Sequence, residues 1–350
     1  MRSQHYPAAL RGMRKHKSKN LEPGQVAKIK YRRLGQTDLN VSEIALGCAG
    51  FWGDRLFSER KAISVVSEAL SHGVNFFDTG HNYSNFNAEP RLGKALRNLL
   101  GSGDRSKVIL SSKAGTVVAA GKLALSKPAK IKDFSPGYIE SSCAQSLRNL
   151  GTDYLDIFQL HGITKEEITE GLLDRLDTMK RNGMFRFLGV NTHALADMNF
   201  IAEHPDRFDM VLLDYNVLQL DREPVIAKLQ ANGIGVVAGT VLGQGHLIKG
   251  KIGRIRSMSD IWYLARSLVR PGGRELAAKS AAMQEVLMSV EGMTAAQAAV
   301  SFVLQNSSVA SCIIGTTKIA NLIEVIGAAN NDLSQHDIER IRATYQSMQH

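Results

Sequence analysis

GVNFFDTGHNYSN, residues 73–85, is read first as a strand that ends in chemistry. Val74–Phe77 is a short, mostly apolar stretch, broken only by Asn75, that predicts a strand. It passes directly into Asp78-Thr79-Gly80-His81-Asn82-Tyr83, so polar side chains begin where the strand stops. Ala88–Leu100 follows with helical spacing of its apolar residues. Strand, polar loop and helix in that order form one unit of a parallel α/β sheet.

The same unit recurs on both sides of this stretch. Upstream, Lys30–Leu34 and Leu39–Ser42 flank a Gly35-Gln36 turn and predict a small hairpin, and Ile44–Gly47 is the first buried strand. Ser58 predicts the cap of a helix running to Ser71. Downstream, strands are expected at Val108–Ser112, Tyr154–Leu160, Phe185–Val190, Met210–Asp214, Ile234–Ala238 and Cys312–Ile314. Helices are expected between them: from Ser135-Pro136 to Leu150, around Lys165–Arg181, near Leu195–Glu203, and over Pro224–Ala231. Two more are expected over Glu275–Ser289 and Ala295–Gln305, with others from Ile319 to Ala329 and after Ser334. Parallel strands joined by right-handed crossovers suit either an open doubly wound sheet or a closed barrel, and eight repeats favour the barrel. The expected fold is therefore a (β/α)₈ TIM barrel with an N-terminal β-hairpin and a basic N-terminal extension.

Composition sets the outer limits. The 350 residues are 44% hydrophobic and 22% charged, ordinary for a globular chain with a full core. Cys48, Cys143 and Cys312 are scattered and form no CxxC pair, which argues against a disulfide framework or zinc site and for a reducing, cytoplasmic setting. The net charge of +10 is concentrated in residues 1–30, where eight Lys and Arg residues face Glu22 alone and leave +3 for the rest. Residues 1–29 are read as a basic, disordered extension and 30–350 as one domain, with no nucleic-acid-binding face. The basic tail has no apolar core of a secretory signal, and no apolar run reaches membrane-spanning length. Asn-x-Ser matches at Asn40, Asn82 and Asn306 therefore carry no weight. Gly245–Lys251 nearly spells a P-loop, but Ile252 stands where Ser or Thr must hold magnesium, so no metal site is assigned.

In a barrel the chemistry sits where strands end. Besides Asp78 and Tyr83, the third strand ends in Ser111-Ser112-Lys113 and the fourth in Gln159-Leu160-His161. The fifth ends in Asn191-Thr192-His193 and the sixth in Asp214-Tyr215-Asn216. Each residue alone has a structural explanation, but together they converge on one mouth. Reducing a carbonyl by hydride needs a proton donor at the developing alkoxide. A tyrosine can serve if a nearby ammonium stabilises its phenolate and a carboxylate keeps that ammonium charged. An imidazole can then hold the substrate oxygen.

Across residues 30–346 the sequence resembles the aldo-keto reductase superfamily. The resemblance lies in GVNFFDTGHNYSN (73–85), AEPRLGKAL (88–96), VILSSKAG (108–115), SLRNLGTDYLDIFQLHG (146–162) and LGVNTH (188–193). It continues in DYNVL (214–218), VLGQGHLIKGK (241–251) and IIGTTKIANLIE (313–324). It implies NADPH bound without a Rossmann fold, consistent with the lack of G-x-G-x-x-G after any strand. It assigns the catalytic roles to Asp78, Tyr83, Lys113 and His161. Tyr83 is the general acid, Lys113 its pKa-lowering neighbour, Asp78 the partner of Lys113, and His161 the substrate-orienting donor. It further implies that Asn191 and Thr192 hold the nicotinamide carboxamide and that Thr240, Leu242 and Gln244 form the pyrophosphate loop. Gly315, Thr317, Lys318, Asn321 and Glu324 fall on the segment for the adenosine 2′-phosphate and adenine, and the cation Lys318 favours NADPH over NADH.

Two positions depart from the family pattern: Leu212 replaces a common Gln, and Gly239 replaces a bulky residue that stacks on the nicotinamide. These departures, with the basic tail, motivate a second reading as a nucleotide-binding regulatory or partner-binding subunit with little turnover. A third reading is a less usual redox step on a sugar or specialised metabolite. Its specificity element would be the long 246–275 connection with Trp262, Tyr263, Arg266 and Arg270. The substrate is expected to be a small carbonyl or alcohol.

Overall fold

The computed structural model describes residues 29–54, 57–101, 105–118, 130–248 and 273–349. Eight parallel strands close into a barrel: β3 (Ile44–Gly47), β4 (Phe76–Asp78), β5 (Ile109–Ala114), β8 (Leu155–His161), β9 (Phe185–Thr192), β10 (Met210–Asp214), β11 (Gly235–Gly239) and β12 (Val309–Gly315). Each pairs with the barrel strands before and after it in sequence, and β12 closes on β3 through Cys312 opposite Ile44. Around it run α1 (Glu59–Ser71), α2 (Ala88–Leu100), α3 (Pro136–Leu150), α4 (Glu170–Arg181) and α5 (Leu195–Ala202). The ring continues with α6 (Glu223–Ala231), α7 (Gly273–Met288), α8 (Ala295–Gln305), α9 (Ile319–Ile326) and α10 (Gln335–Ser347).

The predicted N-terminal hairpin is present as β1 (Tyr31–Arg33) and β2 (Asn40–Ser42). It closes the lower end of the barrel, where Leu34, Leu39 and Val41 join Phe76, Ile109, Ile157, Met210 and Val237 in one buried cluster. Gly35 makes this possible. It has φ of +57°, and a Cβ there would lie 2.4 Å from the carbonyl oxygen of Gly233.

Strand side chains alternate between faces. Phe76, Ile109 and Ile157 lie in that inner cluster, so Asp78, then Ser111 and Lys113, then Gln159 and His161 share their faces at successive steps upward. The lower barrel is thus apolar and its upper end polar, with the larger core lying between strands and helices. Burial of each large apolar side chain contributes on the order of 1.5–3 kcal/mol, and that sum fixes the frame beneath the site.

Several local boundaries differ from the sequence reading. The helix expected around 165–181 begins as a 3₁₀ turn, Lys165–Glu167, and becomes α-helical only at Glu170. Thr169 interrupts it: its hydroxyl accepts from the Leu172 amide as a cap, with its own backbone extended. A second hairpin, β6 (Thr116–Val118) with β7 (Lys130–Lys132), stands above the end of β5 and was not foreseen. Strand β12 starts at Val309, three residues before the expected strand, and its pairing with β11 shifts register between Val236 and Val237. Of the expected extension over 1–29, only Ile29 falls among the described residues, and it is buried in the core. The residues Trp262, Tyr263, Arg266 and Arg270 lie outside the described residues, as does the P-loop-like end at Lys251.

Candidate active site

Asp78 and His161 are the last residues of β4 and β8, Lys113 is the fifth of β5, and Tyr83 stands on the loop after β4. Lys113 is 1% exposed and Asp78 4%. Burial of a lysine disfavours its ammonium, so it must be paired. Its Nζ lies 2.5 Å from Asp78 Oδ2 and donates to the Thr79 carbonyl at 2.7 Å. Burial pulls the Lys113 pKa down, but Asp78 and Tyr83 outweigh it and the net shift is upward. The ammonium is therefore the resident form.

The Tyr83 ring is held on two sides. Lys113 Nζ lies 5.3 Å from its centroid, and the His161 ring meets it edge-on at 5.4 Å with an interplanar angle of 89°. Gly80 lets the loop fold this tightly, since a Cβ there would lie 3.0 Å from the Tyr83 ring. The loop backbone continues the β4–β5 pairing: Thr79 N donates to Ser111 O at 2.9 Å and His81 N to Lys113 O at 2.8 Å. Sequence positions separated by as many as 83 residues thus meet as one cluster, and all four predicted side chains belong to it.

Gln159 completes the floor. Its Nε2 donates to Asp78 Oδ1 at 2.9 Å and to Ser111 Oγ at 2.5 Å, so each oxygen of Asp78 has its own donor. From the sequence Gln159 stood at a strand end without a role; the signal was an amide at the inward alternation of Ile157 and His161. Replacing it with Leu keeps the volume but leaves a buried carboxylate oxygen undonated. Gln159→Leu is expected to cost about 2 kcal/mol of stability, the range for hydrogen bonds to charged groups, read by urea unfolding. A loss below a few tenths of a kcal/mol would remove the role given to Gln159.

The second hairpin also reaches the cluster. Lys132 Nζ donates to the His161 carbonyl and, at 3.1 Å, to Thr116 Oγ1, tying β7 to the end of β8. No sequence signal identified it, because its pairing depends on β6 lying opposite.

The positions assigned to a dinucleotide lie at the same end of the barrel, on β9, β11 and β12 and the segments after them. Asn191 Nδ2 donates to the Leu212 carbonyl at 3.1 Å, and the Thr192 hydroxyl donates to Asp197 Oδ2 at 3.2 Å. Thr192 is therefore engaged within the protein through α5. Thr240 and Gln244 both have positive φ, 50° and 58°, and shape the turn that includes Leu242. Thr316 Oγ1 accepts from the Lys318 amide at 3.1 Å and fixes the turn before α9, with Lys318 exposed at its N-cap. Thr317, Asn321 and Glu324 are half-buried around it.

The two departures from the family pattern are neighbours. A Cβ on Gly239 would lie 3.3 Å from Leu212 Cδ1. Leu212 is 6% exposed and belongs to the inner apolar cluster. They form one coupled change: a leucine on β10 faces the space that glycine leaves on β11. Beside them, Asp214 Oδ2 meets His193 Nδ1 at 2.8 Å. Burial pushes the Asp214 carboxyl up, but His193 and Arg222 bring it below its ordinary value.

A closed eight-stranded parallel barrel with this cluster at the ends of its strands is the architecture of an α/β-barrel enzyme. The chain belongs to the aldo/keto reductase family, whose sequence profile matches residues 43–346, and it is an NAD(P)H-dependent enzyme of that family. Its similarity to "Uncharacterized oxidoreductase YqkF" of Bacillus subtilis is 29% identity over 316 residues, covering 89% of this chain and 95% of that protein. It is 28% identical over 325 residues to "Probable aldo-keto reductase 1" of Glycine max, covering 90% and 88%. Among solved structures, aldo-keto reductase AKR11C1 from Bacillus halodurans in its holo form superposes with a TM-score of 0.70 at 24% identity, covering 90% of this chain and 96% of that one. That likeness supports the fold.

Among the described residues, no group of His, Cys, Asp and Glu could hold a metal ion, and no helix is long and apolar enough to cross a membrane.

Proposed function

We propose that the protein interconverts an aldehyde or ketone and its alcohol with NADPH, and that Tyr83 is the proton donor and acceptor. The observation that carries this reading is the buried ammonium of Lys113, paired to Asp78 and set 5.3 Å from the Tyr83 ring. An ammonium there favours the phenolate charge that appears when Tyr83 gives up its proton. Asp78 and Gln159 keep the ammonium in place, and His161 is positioned to donate to the substrate oxygen. Three buried cysteines without disulfides fit a cytoplasmic setting.

The residues present suit the dinucleotide. Among the described residues a Cβ on Gly245 would meet nothing within 4 Å and one on Gly315 only Gly47 O at 3.8 Å, so both suit close approach of a flat or phosphate group. Asn191 and Thr192 would hold the nicotinamide amide, Thr240, Leu242 and Gln244 the pyrophosphate, and Gly315, Thr317, Lys318, Asn321 and Glu324 the adenosine end. When bound, the cofactor supplies the hydride. Lys318, exposed at the N-terminus of α9, is suited to a 2′-phosphate by charge and by the helix dipole. Lys318→Ala is expected to raise the KM for NADPH about tenfold, the worth of one charge-assisted contact, and to leave that for NADH unchanged. Equal effects on both would assign Lys318 no role at the phosphate.

The test of the reading is NADPH oxidation across a panel of aldehydes and ketones. Turnover that depends on Tyr83 supports it. Tight NADPH binding with no turnover on any carbonyl overturns it and favours the regulatory reading raised by Leu212 and Gly239.

A further inference from the structure

The segment 88–96 contributes nothing to the four-residue cluster, yet Glu89 on the first turn of α2 is 0% exposed, the least exposed acidic residue among those described. Burial of a carboxylate is costly unless donors surround it. Ser112 Oγ donates to Glu89 Oε1 at 2.6 Å and Asn149 Nδ2 to Oε2 at 2.9 Å. His81 Nδ1 lies 3.7 Å from Oε2. Burial raises the carboxyl's pKa, but His81, Ser112, Ser146 and Asn149 turn the net shift downward, so Glu89 is charged.

Three of these partners, Ser112, Asn149 and His81, tie Glu89 to β5, to α3 and to the loop that carries Tyr83. Ser112 precedes Lys113 on β5, Asn149 is on α3, and His81 is two residues before Tyr83 on the same loop. Immediately after Tyr83, Ser84, Asn85 and Phe86 have φ of 51°, 54° and 68°, three successive non-glycine residues in the left-handed region. Each such residue costs roughly 1–2 kcal/mol, so the turn persists only if its surroundings hold it. His81 reaches across it, with its ring edge-on to Phe86 at 5.2 Å.

We propose that Glu89 is a positioning residue, which through His81 holds the strained turn that presents Tyr83 to Lys113 and His161. The inference rests on Tyr83 acting as proton donor, and it assigns Glu89 no contact with substrate.

Glu89→Gln keeps the shape and removes the charge, while His81→Phe keeps the contact with Phe86 and removes the nitrogen. For each, kcat is expected to fall about tenfold with KM little changed, because misplacement of a catalytic group acts on the chemical step. The double variant is expected to lose no more than the larger single loss, as for two residues acting through one contact. Amide exchange over residues 79–88 is expected to rise about tenfold in Glu89→Gln while the β8 and β10 amides stay protected. Unchanged exchange at 79–88, additive losses in kcat, or a rise spread across the barrel would each overturn the proposal. If Glu89→Gln does not fold, His81→Phe decides alone by the same kcat and exchange measurements. Exchange needs no turnover, so a wild type inactive on every carbonyl would sink the reductase reading and still leave the positioning of the turn decided.

Discussion

Tyr83→Phe is expected to lower kcat/KM for carbonyl reduction by about 10³-fold, within the range that general acid catalysis supplies. The substitution removes one oxygen and leaves the ring. The edge-on contact with His161 at 5.4 Å and the approach of Lys113 at 5.3 Å both involve that ring and remain. The loop should keep its place, since it is held by Gly80, His81 and the backbone of β5. Tm and NADPH affinity are thus expected to match the wild type, measured by thermal unfolding and fluorescence titration. Loss of activity with intact binding isolates the proton transfer. If Tyr83→Phe retained most of its turnover, Tyr83 would not be the donor, and His161, whose ring meets that of Tyr83 edge-on, would be the next to test.

Much of this arrangement was legible before any coordinate. Eight short, largely apolar stretches specify eight strands, several of them apolar throughout because both faces are buried, and the helical spacing between them leaves parallel crossovers as the connection. The quartet was legible because it sits where those runs stop. Contacts perpendicular to the chain were not. Gln159 holds Asp78 across 81 positions, and its local sequence marks only an amide on the strand's inward alternation, not its partner. The hairpin bringing Lys132 to His161 has only three residues per strand, too few for alternation to register. The backbone at Ser84–Phe86 was equally hidden, because no glycine marks its positive φ values. Leu212 and Gly239 were legible as two departures, and only their contact makes them one change.

The buried pair beneath Tyr83 leads to the other large effect. Lys113→Met fits the volume but leaves the Asp78 carboxylate, 4% exposed, facing Gln159 without its counter-charge. Breaking a buried pair from one side costs about 3–5 kcal/mol, a sizeable share of a domain's stability, and is expected to lower Tm together with activity. Asp78→Asn in the same chain removes the orphaned charge, so the double variant should recover most of the stability. It should recover none of the activity, because the ammonium beside Tyr83 is still absent. The pH dependence separates charge from packing. Lys113 has its pKa raised by Asp78 and Tyr83 against the effect of burial. Its contribution is therefore whole below the unfolded-lysine value of about 10.4 and is lost only as pH climbs past that value toward the higher folded one. The stability gap between wild type and Lys113→Met, measured by denaturant unfolding from pH 7 upward, should stay constant to about pH 10 and narrow beyond it. A gap that closed near neutrality would mean that Lys113 is uncharged in the resting protein, and the phenolate at Tyr83 would lose its support.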